Sequence, residues 1–297
     1  MEIKRIVVFG DSLQDNGNLI KTLGIPAAPY EGGRFSNGKI ACEYLIAKIN
    51  RNRSETKKTI QLKNYAIGGA YTSGKNPKSL LDGHSFSVSD QIDRFIAEKG
   101  RFNTDDLVML NGGGNNFLFA LHNEKPYFNL PGIYRVANDL IEFANRLVKL
   151  GAKTLLIWNV PDVTTAPAYR MIRLPAVLIH LLKKYLKWNL QRQNQKLEKG
   201  LTELKFKYPE AKLRLFDVHQ LLLNVLDAPQ GYGFENTRDA CVKSFGGTDE
   251  KGNFQTSLNI DQDPETHLFW DYTHPTTKAQ KMLAEHMFKL LYPLAEE

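Results

Sequence analysis

The feature that most restricts how this chain can fold is an alternation of short apolar runs with longer segments of helical period. Runs rich in β-branched residues at Ile3–Phe9, Thr59–Tyr65, Leu107–Leu110, Thr154–Asn159 and Leu213–Asp217 have strand character. Between and after them, Lys39–Asn50, Ser89–Lys99, Tyr134–Leu150, Pro175–Tyr208 and Thr276–Tyr292 carry apolar residues three and four apart, the spacing of one helix face. Strand, helix, strand in this rhythm predicts an α/β chain, a parallel sheet covered on both faces by helices. The chain has 297 residues, 42% of them hydrophobic, enough for a full core, and no shift in composition divides it, so residues 1–297 read as a single domain. Two Gly-, Asn- and Ser-rich stretches, Gly68–Asp90 and Asn224–Thr266, are long for plain connections and read as functional loops.

Ligands of open parallel sheets bind beyond the carboxyl ends of the strands. The first strand runs into Gly10-Asp11-Ser12 and then "LQDNGN"; the second into "NYAIGGAYTS" with Gly68 and Gly69; the third into "LNGGGNNF" with Asn115. Any one of these is ordinary turn chemistry, since Gly and Asn tolerate left-handed backbone and Ser caps helices. Three such ends on one sheet edge point to a site. Ser12, leaving the edge at the start of a helix, is the candidate nucleophile and its N–H an oxyanion donor. Gly68 or Gly69 can present a second N–H, because a residue without a side chain lets a carbonyl oxygen come close. The Asn115 amide is a third donor that does not titrate.

A nucleophilic serine needs a base, and seven histidines compete for that role. His274 stands apart because it lies in "LFWDYTHPTTKAQKML", with Asp271 three residues before it and Pro275 at an expected first helical position. On a tight turn that spacing sets the carboxylate against one imidazole nitrogen and leaves the other for Ser12. A surface turn with an Asx cap would also use Asp and Pro, but would give no reason for Ser12.

"FGDSLQDNGN", "NYAIGGA", "GGGNNF" and "DYTHPTT" together resemble, in order, four signature blocks of the GDSL lipases/esterases, the SGNH hydrolases. "IWNVPDVTTAP", "LFDVHQLL" and "GYGFENTRDAC" are similar to segments of the lipolytic branch with bacterial phospholipases A, lysophospholipases and glycerophospholipid–cholesterol acyltransferases. The resemblance implies a three-layer α/β/α sandwich of flavodoxin-like SGNH type. It implies Ser12 as nucleophile, His274 as base and Asp271 as its orienting acid, with Ser12, Gly69 and Asn115 as oxyanion donors. Asn116 departs from the family pattern, in which Asp often follows the block-three Asn, and is expected to support the loop rather than the chemistry. The serine is not in a Gly-x-Ser-x-Gly elbow, because Gln14 stands where that motif has its second glycine. Neither cofactor nor metal is called for.

The expected substrate is a lipid ester, a phospholipid or lysophospholipid, with short-chain carbohydrate or aryl esters as the alternative and acyl transfer to an alcohol or sterol as a variant. Net charge is +7, but the Lys and Arg are scattered and no nucleic-acid motif is present, which argues against a nucleic-acid partner. Residues 171–200 combine Leu174, Val177, Leu178, Leu181, Leu182, Tyr185 and Trp188 with Lys183, Lys184, Lys187 and Arg192. That pattern suits a covering helix with a solvated basic face, and equally transient contact with a membrane surface. No apolar run reaches the ~18 residues of a membrane-spanning helix, and the N-terminal residues read as strand rather than signal, which fits a cytosolic protein, a mature chain after processing or signal-less export; of these, secretion is slightly favoured. Cys42 and Cys241 allow one disulfide at most.

Overall fold

In a computed structural model, residues 2–53, 59–74, 86–118, 130–172, 174–249, 255 and 258–293 are described. Five strands, β1 (Arg5–Phe9), β2 (Gln61–Asn64), β3 (Asp106–Leu110), β4 (Thr154–Trp158) and β5 (Lys212–Phe216), form one parallel sheet in the order β2-β1-β3-β4-β5. Each lies within a residue or two of its expected run.

Period-two alternation sorts the strand side chains onto two faces. Val7, Phe9, Val108, Leu110, Leu155, Ile157 and Leu213 pack on one side, and Ile6, Val8, Leu107, Met109, Leu156, Trp158 and Phe216 on the other. The first side is covered by α3 (Val88–Ala97), α6 (Val136–Lys149) and α7 (Ala176–Lys207). The second is covered by α2 (Ala41–Arg51), α8 (Val218–Asp227) and α9 (Thr277–Leu291), giving three layers. Phe9 and Trp158 are completely buried on opposite faces, and burying such side chains contributes on the order of 1.5–3 kcal/mol each. The helices α1 (Asn18–Leu23), α4 (Gly114–Leu118) and α5 (Leu130–Tyr134) are short.

The structure departs from the sequence reading in several places. The stretch 224–266 contains the end of α8 and the strand β6 (Asn236–Ala240), which pairs in parallel with β7 (His267–Phe269). Residues 250–254 and 256–257 of that stretch, and 75–85 of the Gly68–Asp90 stretch, lie outside the described residues, as do His84 and His122. Pro275 does not open α9: Thr276 adopts the extended N-cap conformation, and its hydroxyl accepts the Ala279 N–H. Cys42 and Cys241 are both buried free thiols in different apolar clusters. Among the described residues no helix is long and apolar enough to cross a membrane.

Strand order 2-1-3-4-5 reverses direction between β1 and β3, and the crevice at such a reversal is where doubly wound sheets bind ligands. The three suspect strand ends belong to β2, β1 and β3, which are neighbours there.

Candidate active site

At the end of β1 the backbone leaves the sheet in a turn, not a helix, so the expectation of a helix starting at Ser12 is corrected. Gln14 N–H donates to the Asp11 carbonyl (3.0 Å) and Leu13 N–H to Asp11 Oδ1 (3.1 Å). Asp15 then gathers four backbone N–H groups, Gly17 (2.9 Å), Asn18 (2.6 Å), Leu19 (3.1 Å) and Gly68 (2.8 Å). Side-chain acceptors thus take the first N–H groups and delay α1 to Asn18. Gly10 is required by close approach, since a Cβ there would lie 1.8 Å from the Asn111 amide oxygen. Gln91 holds Gly10 at both ends, accepting its N–H and donating to its carbonyl, each at 2.8 Å.

This turn leaves the Ser12 hydroxyl 2.8 Å from His274 Nε2. The two residues are 262 positions apart and come from the end of β1 and the turn between β7 and α9. His274 Nδ1 lies 2.9 and 2.8 Å from the two Asp271 oxygens. An ionised carboxylate only accepts, so Nδ1 carries the proton it donates to Asp271, and Nε2 is left to accept from Ser12. The Phe35 ring packs against the imidazole at 4.9 Å between centroids.

Asp271 is completely buried, which alone would raise its pKa, yet it is held below the ordinary carboxylate range. The His274 charge and hydrogen bond outweigh burial, with help from Tyr30 and the Thr273 N–H. The donor distances are 2.7 Å from Tyr30 Oη–H, 2.9 Å from Gly246 N–H, 2.8 Å from Thr273 N–H and 2.7 Å from His274 N–H. Burial and the Asp271 charge push the Tyr30 hydroxyl well above its usual range, so it stays a neutral donor. Asp11, equally enclosed, goes the other way: burial raises it, and the Leu13 and Asn111 donors only partly compensate.

Of the remaining predicted residues, Asn115 lies in α4 with its Nδ2 donating to the Ala70 carbonyl at 2.9 Å, which uses one of its two amide hydrogens and orients the group. It lines the same cavity as Ser12 and His274. Gly68 commits its N–H to Asp15, while Gly69 adopts φ +76°, a conformation few other residues take. Asn116 is fully buried; it accepts from Thr72 N–H (3.1 Å) and donates to the Gly132 carbonyl (2.9 Å), tying the loop after β2 to α5. Sequence reading missed Asp15, Tyr30 and Gly246. Asp15 had a local signal, an Asp directly before Asn-Gly-Asn, whereas Tyr30 and Gly246 reach Asp271 only through the fold.

From the Ser12–His274 pair a cavity of about 130 Å³ opens between α8 and α9. Its walls are apolar, with Leu221, Leu222 and Val225 on one side and Met282, Leu283 and Leu268 on the other. The arrangement couples a hydroxyl, an imidazole and a buried carboxylate beside an apolar slot, the layout of a serine hydrolase acting on an acyl group.

Residues 6–287 match the GDSL-like Lipase/Acylhydrolase family, and the chain belongs to it. It is 28% identical to a thermolabile hemolysin of Vibrio parahaemolyticus over 99% of this chain, and it spans only 65% of that protein's length. It is 27% identical to a phosphatidylcholine-sterol acyltransferase of Aeromonas hydrophila over 95% of this chain and 88% of that one. A GDSL esterase/lipase of Arabidopsis thaliana is 26% identical over 94% of this chain and 87% of its own. Among solved structures, the acetyl xylan esterase AlAXEase superposes with TM-score 0.50 at 12% identity, covering 96% of this chain and 98% of that one, and shares the fold.

Proposed function

We propose that this chain is a serine ester hydrolase that releases fatty acids from phospholipids or lysophospholipids through an acyl-enzyme on Ser12. The observation that carries the reading is the hydrogen-bonded series Ser12–His274–Asp271 at the mouth of an apolar cavity. His274 Nε2 takes the Ser12 proton as Oγ attacks the ester carbonyl, and Asp271 steadies the imidazolium. The oxyanion is met by the Ser12 and Gly69 N–H groups and the second Asn115 amide hydrogen. Of the two glycines Gly69 is the one the family resemblance favours, and the Gly68 N–H is held by Asp15. His274 then gives its proton to the leaving alcohol, and water repeats the sequence on the acyl-enzyme to free the acid.

A fatty-acyl rather than an acetyl substrate is supported by the slot between α8 and α9. Dry cavities of ~150 Å³ take up benzene, so about 130 Å³ exceeds what an acetyl group needs. The name of the phosphatidylcholine-sterol acyltransferase agrees with lipid chemistry. If an alcohol such as a sterol replaced water at the second step, the same site would transfer the acyl group.

The test is fatty-acid release from diacyl-phosphatidylcholine, lysophosphatidylcholine and p-nitrophenyl butyrate by the native chain and by Ser12→Ala. Release from both lipids that vanishes in Ser12→Ala is expected. Turnover of the butyrate alone would move the reading to a short-chain esterase, and sterol-ester formation in sterol-containing vesicles would move it to an acyltransferase.

A further inference from the structure

The proposed reaction leaves half of α7 unused. Its fully buried residues begin only at Leu186 and continue through Leu190, Leu197, Leu201 and Leu204 into the first core. The turns before that point are exposed where they are most apolar, with Val177 70% exposed, Leu181 56% and Leu178 49%, and Trp188 just beyond it is 50% exposed. Leu174, just ahead of the helix, is 47% exposed. Isolated apolar residues on a surface are normal, but a contiguous group of this kind marks an interaction face.

The order of residues along that face identifies the partner. At 3.6 residues per turn, Val177, Leu181, Tyr185, Trp188, Arg192, Lys196 and Lys199 follow one another on one side of the helix. The stripe is aliphatic first, then aromatic, then cationic. Tyr185 meets Tyr134 hydroxyl to hydroxyl at 2.6 Å, and the Arg192 guanidinium lies over the Trp188 ring at 4.7 Å. At 1.5 Å per residue the sequence from Val177 to Lys199 spans about 33 Å. A bilayer surface presents the same succession, acyl chains, then an interfacial layer favoured by Tyr and Trp, then anionic phosphates that attract Lys and Arg. Between residues 163 and 197 there are seven Lys and Arg and no Asp or Glu.

We infer that the Val177–Lys199 face of α7 docks the protein on anionic phospholipid surfaces, with Val177, Leu178 and Leu181 in the acyl boundary and Arg192, Lys196 and Lys199 at the headgroups. The helix that carries this face also reaches the site from another side, where Lys187 Nζ is 3.5 Å from Asp162 Oδ2 and Asp162 lines the cavity at Ser12. Docking there brings ester groups to the slot. The inference deepens the lipid-ester reading and rests on it for its purpose, but binding can be measured without turnover. A second copy is the competing occupant, and it would have to bring an acidic face to this one from a chain of net charge +7.

Trp188 supplies a built-in reporter, since the chain has three tryptophans and the other two, Trp158 and Trp270, are buried. Ser12→Ala protein, unable to consume lipid, is titrated with vesicles of phosphatidylcholine alone and of phosphatidylcholine with 30% phosphatidylglycerol, following Trp emission and co-sedimentation. The anionic vesicles are expected to give a blue shift, lost in Trp188→Phe, and co-sedimentation at least about tenfold stronger than with neutral vesicles. Val177→Asp/Leu181→Asp and Lys196→Glu/Lys199→Glu change only exposed positions. Each is expected to weaken vesicle binding about tenfold or more and, in the Ser12 background, to lower release from vesicles while leaving p-nitrophenyl butyrate turnover unchanged. Absence of any shift or co-sedimentation, or pair variants that bind as tightly as the parent, would overturn the inference. So would a concentration-dependent shift without lipid that Val177→Asp/Leu181→Asp abolishes, since it would mark a second copy as occupant. Failure of the hydrolase reading has a different signature, ester turnover that survives Ser12→Ala.

Discussion

Two turns meet at the site, and their carboxylates behave oppositely. Asp11 in the 11–15 turn and Asp271 in the 271–274 turn are both almost or wholly without solvent contact. Burial raises Asp11 and outweighs the Leu13 and Asn111 hydrogen bonds and the more remote His274 charge that oppose it. Burial acts on Asp271 as well, but a directly bonded imidazole and four further N–H or O–H donors carry it below its ordinary value. Asp15 shows that donors alone are not enough, because it collects four backbone N–H groups and is still raised by burial. The contact with an imidazole, which is cationic when protonated, separates the acid suited to steadying an imidazolium from the acids that shape a loop.

The comparison breaks most visibly through Asp271→Asn. The amide keeps the volume but no longer holds Nδ1–H as a carboxylate does, and loss of such an acid lowers serine hydrolase turnover on the order of 10⁴-fold. Steady-state kinetics on a soluble ester, with circular dichroism to verify folding, checks this; a loss under tenfold would remove Asp271 from the relay. Asp15→Asn replaces one of two accepting oxygens with an NH₂ group facing backbone N–H donors, and is expected to cost about 2–3 kcal/mol in chemical denaturation. Tyr30→Phe removes one donor from Asp271 and should cost about 1 kcal/mol, with a smaller loss of turnover than Asp271→Asn.

The smallest effect discriminates best. The Asp271 pKa is lowered from 3.8, so its contribution to stability is present above 3.8 and is lost as pH falls through the folded value. The Asp11 pKa is raised from 3.8, so ionising it in the folded protein costs stability above its folded value, and that cost disappears as pH falls below 3.8. Thermal melts from acid to neutral pH should therefore show Asp271→Asn losing stability relative to native as pH rises, and Asp11→Asn gaining. Parallel slopes for the two variants would contradict the contrast.

Much of this was legible in the sequence because periodicity and strand-end chemistry are local. The five sheet strands carry the apolar runs, and Ser12, Asn115, Asp271 and His274 stand at the strand ends or turns where the fold brings them into one cavity lining or hydrogen-bond series. The β6 strand, "NTRDA", was illegible because it is mostly polar and none of its residues is buried, so no alternation marks it. The α8 helix did carry a signal, Asp217 capping the Gln220 N–H at 2.9 Å, but it follows β5 without a breaker between them. Tyr30 and Gly246 gave none, since their meeting with Asp271 depends on loops folded over from distant parts of the chain.

The central claim, that Ser12 is the nucleophile activated by His274 and Asp271, is tested most directly by a fluorophosphonate ester followed by peptide mass spectrometry. One covalent adduct per chain is expected on the peptide containing Ser12, formed at a rate that collapses in His274→Ala and absent in Ser12→Ala. An adduct on another residue, or an unmodified Ser12 in protein that still hydrolyses esters, would contradict the account.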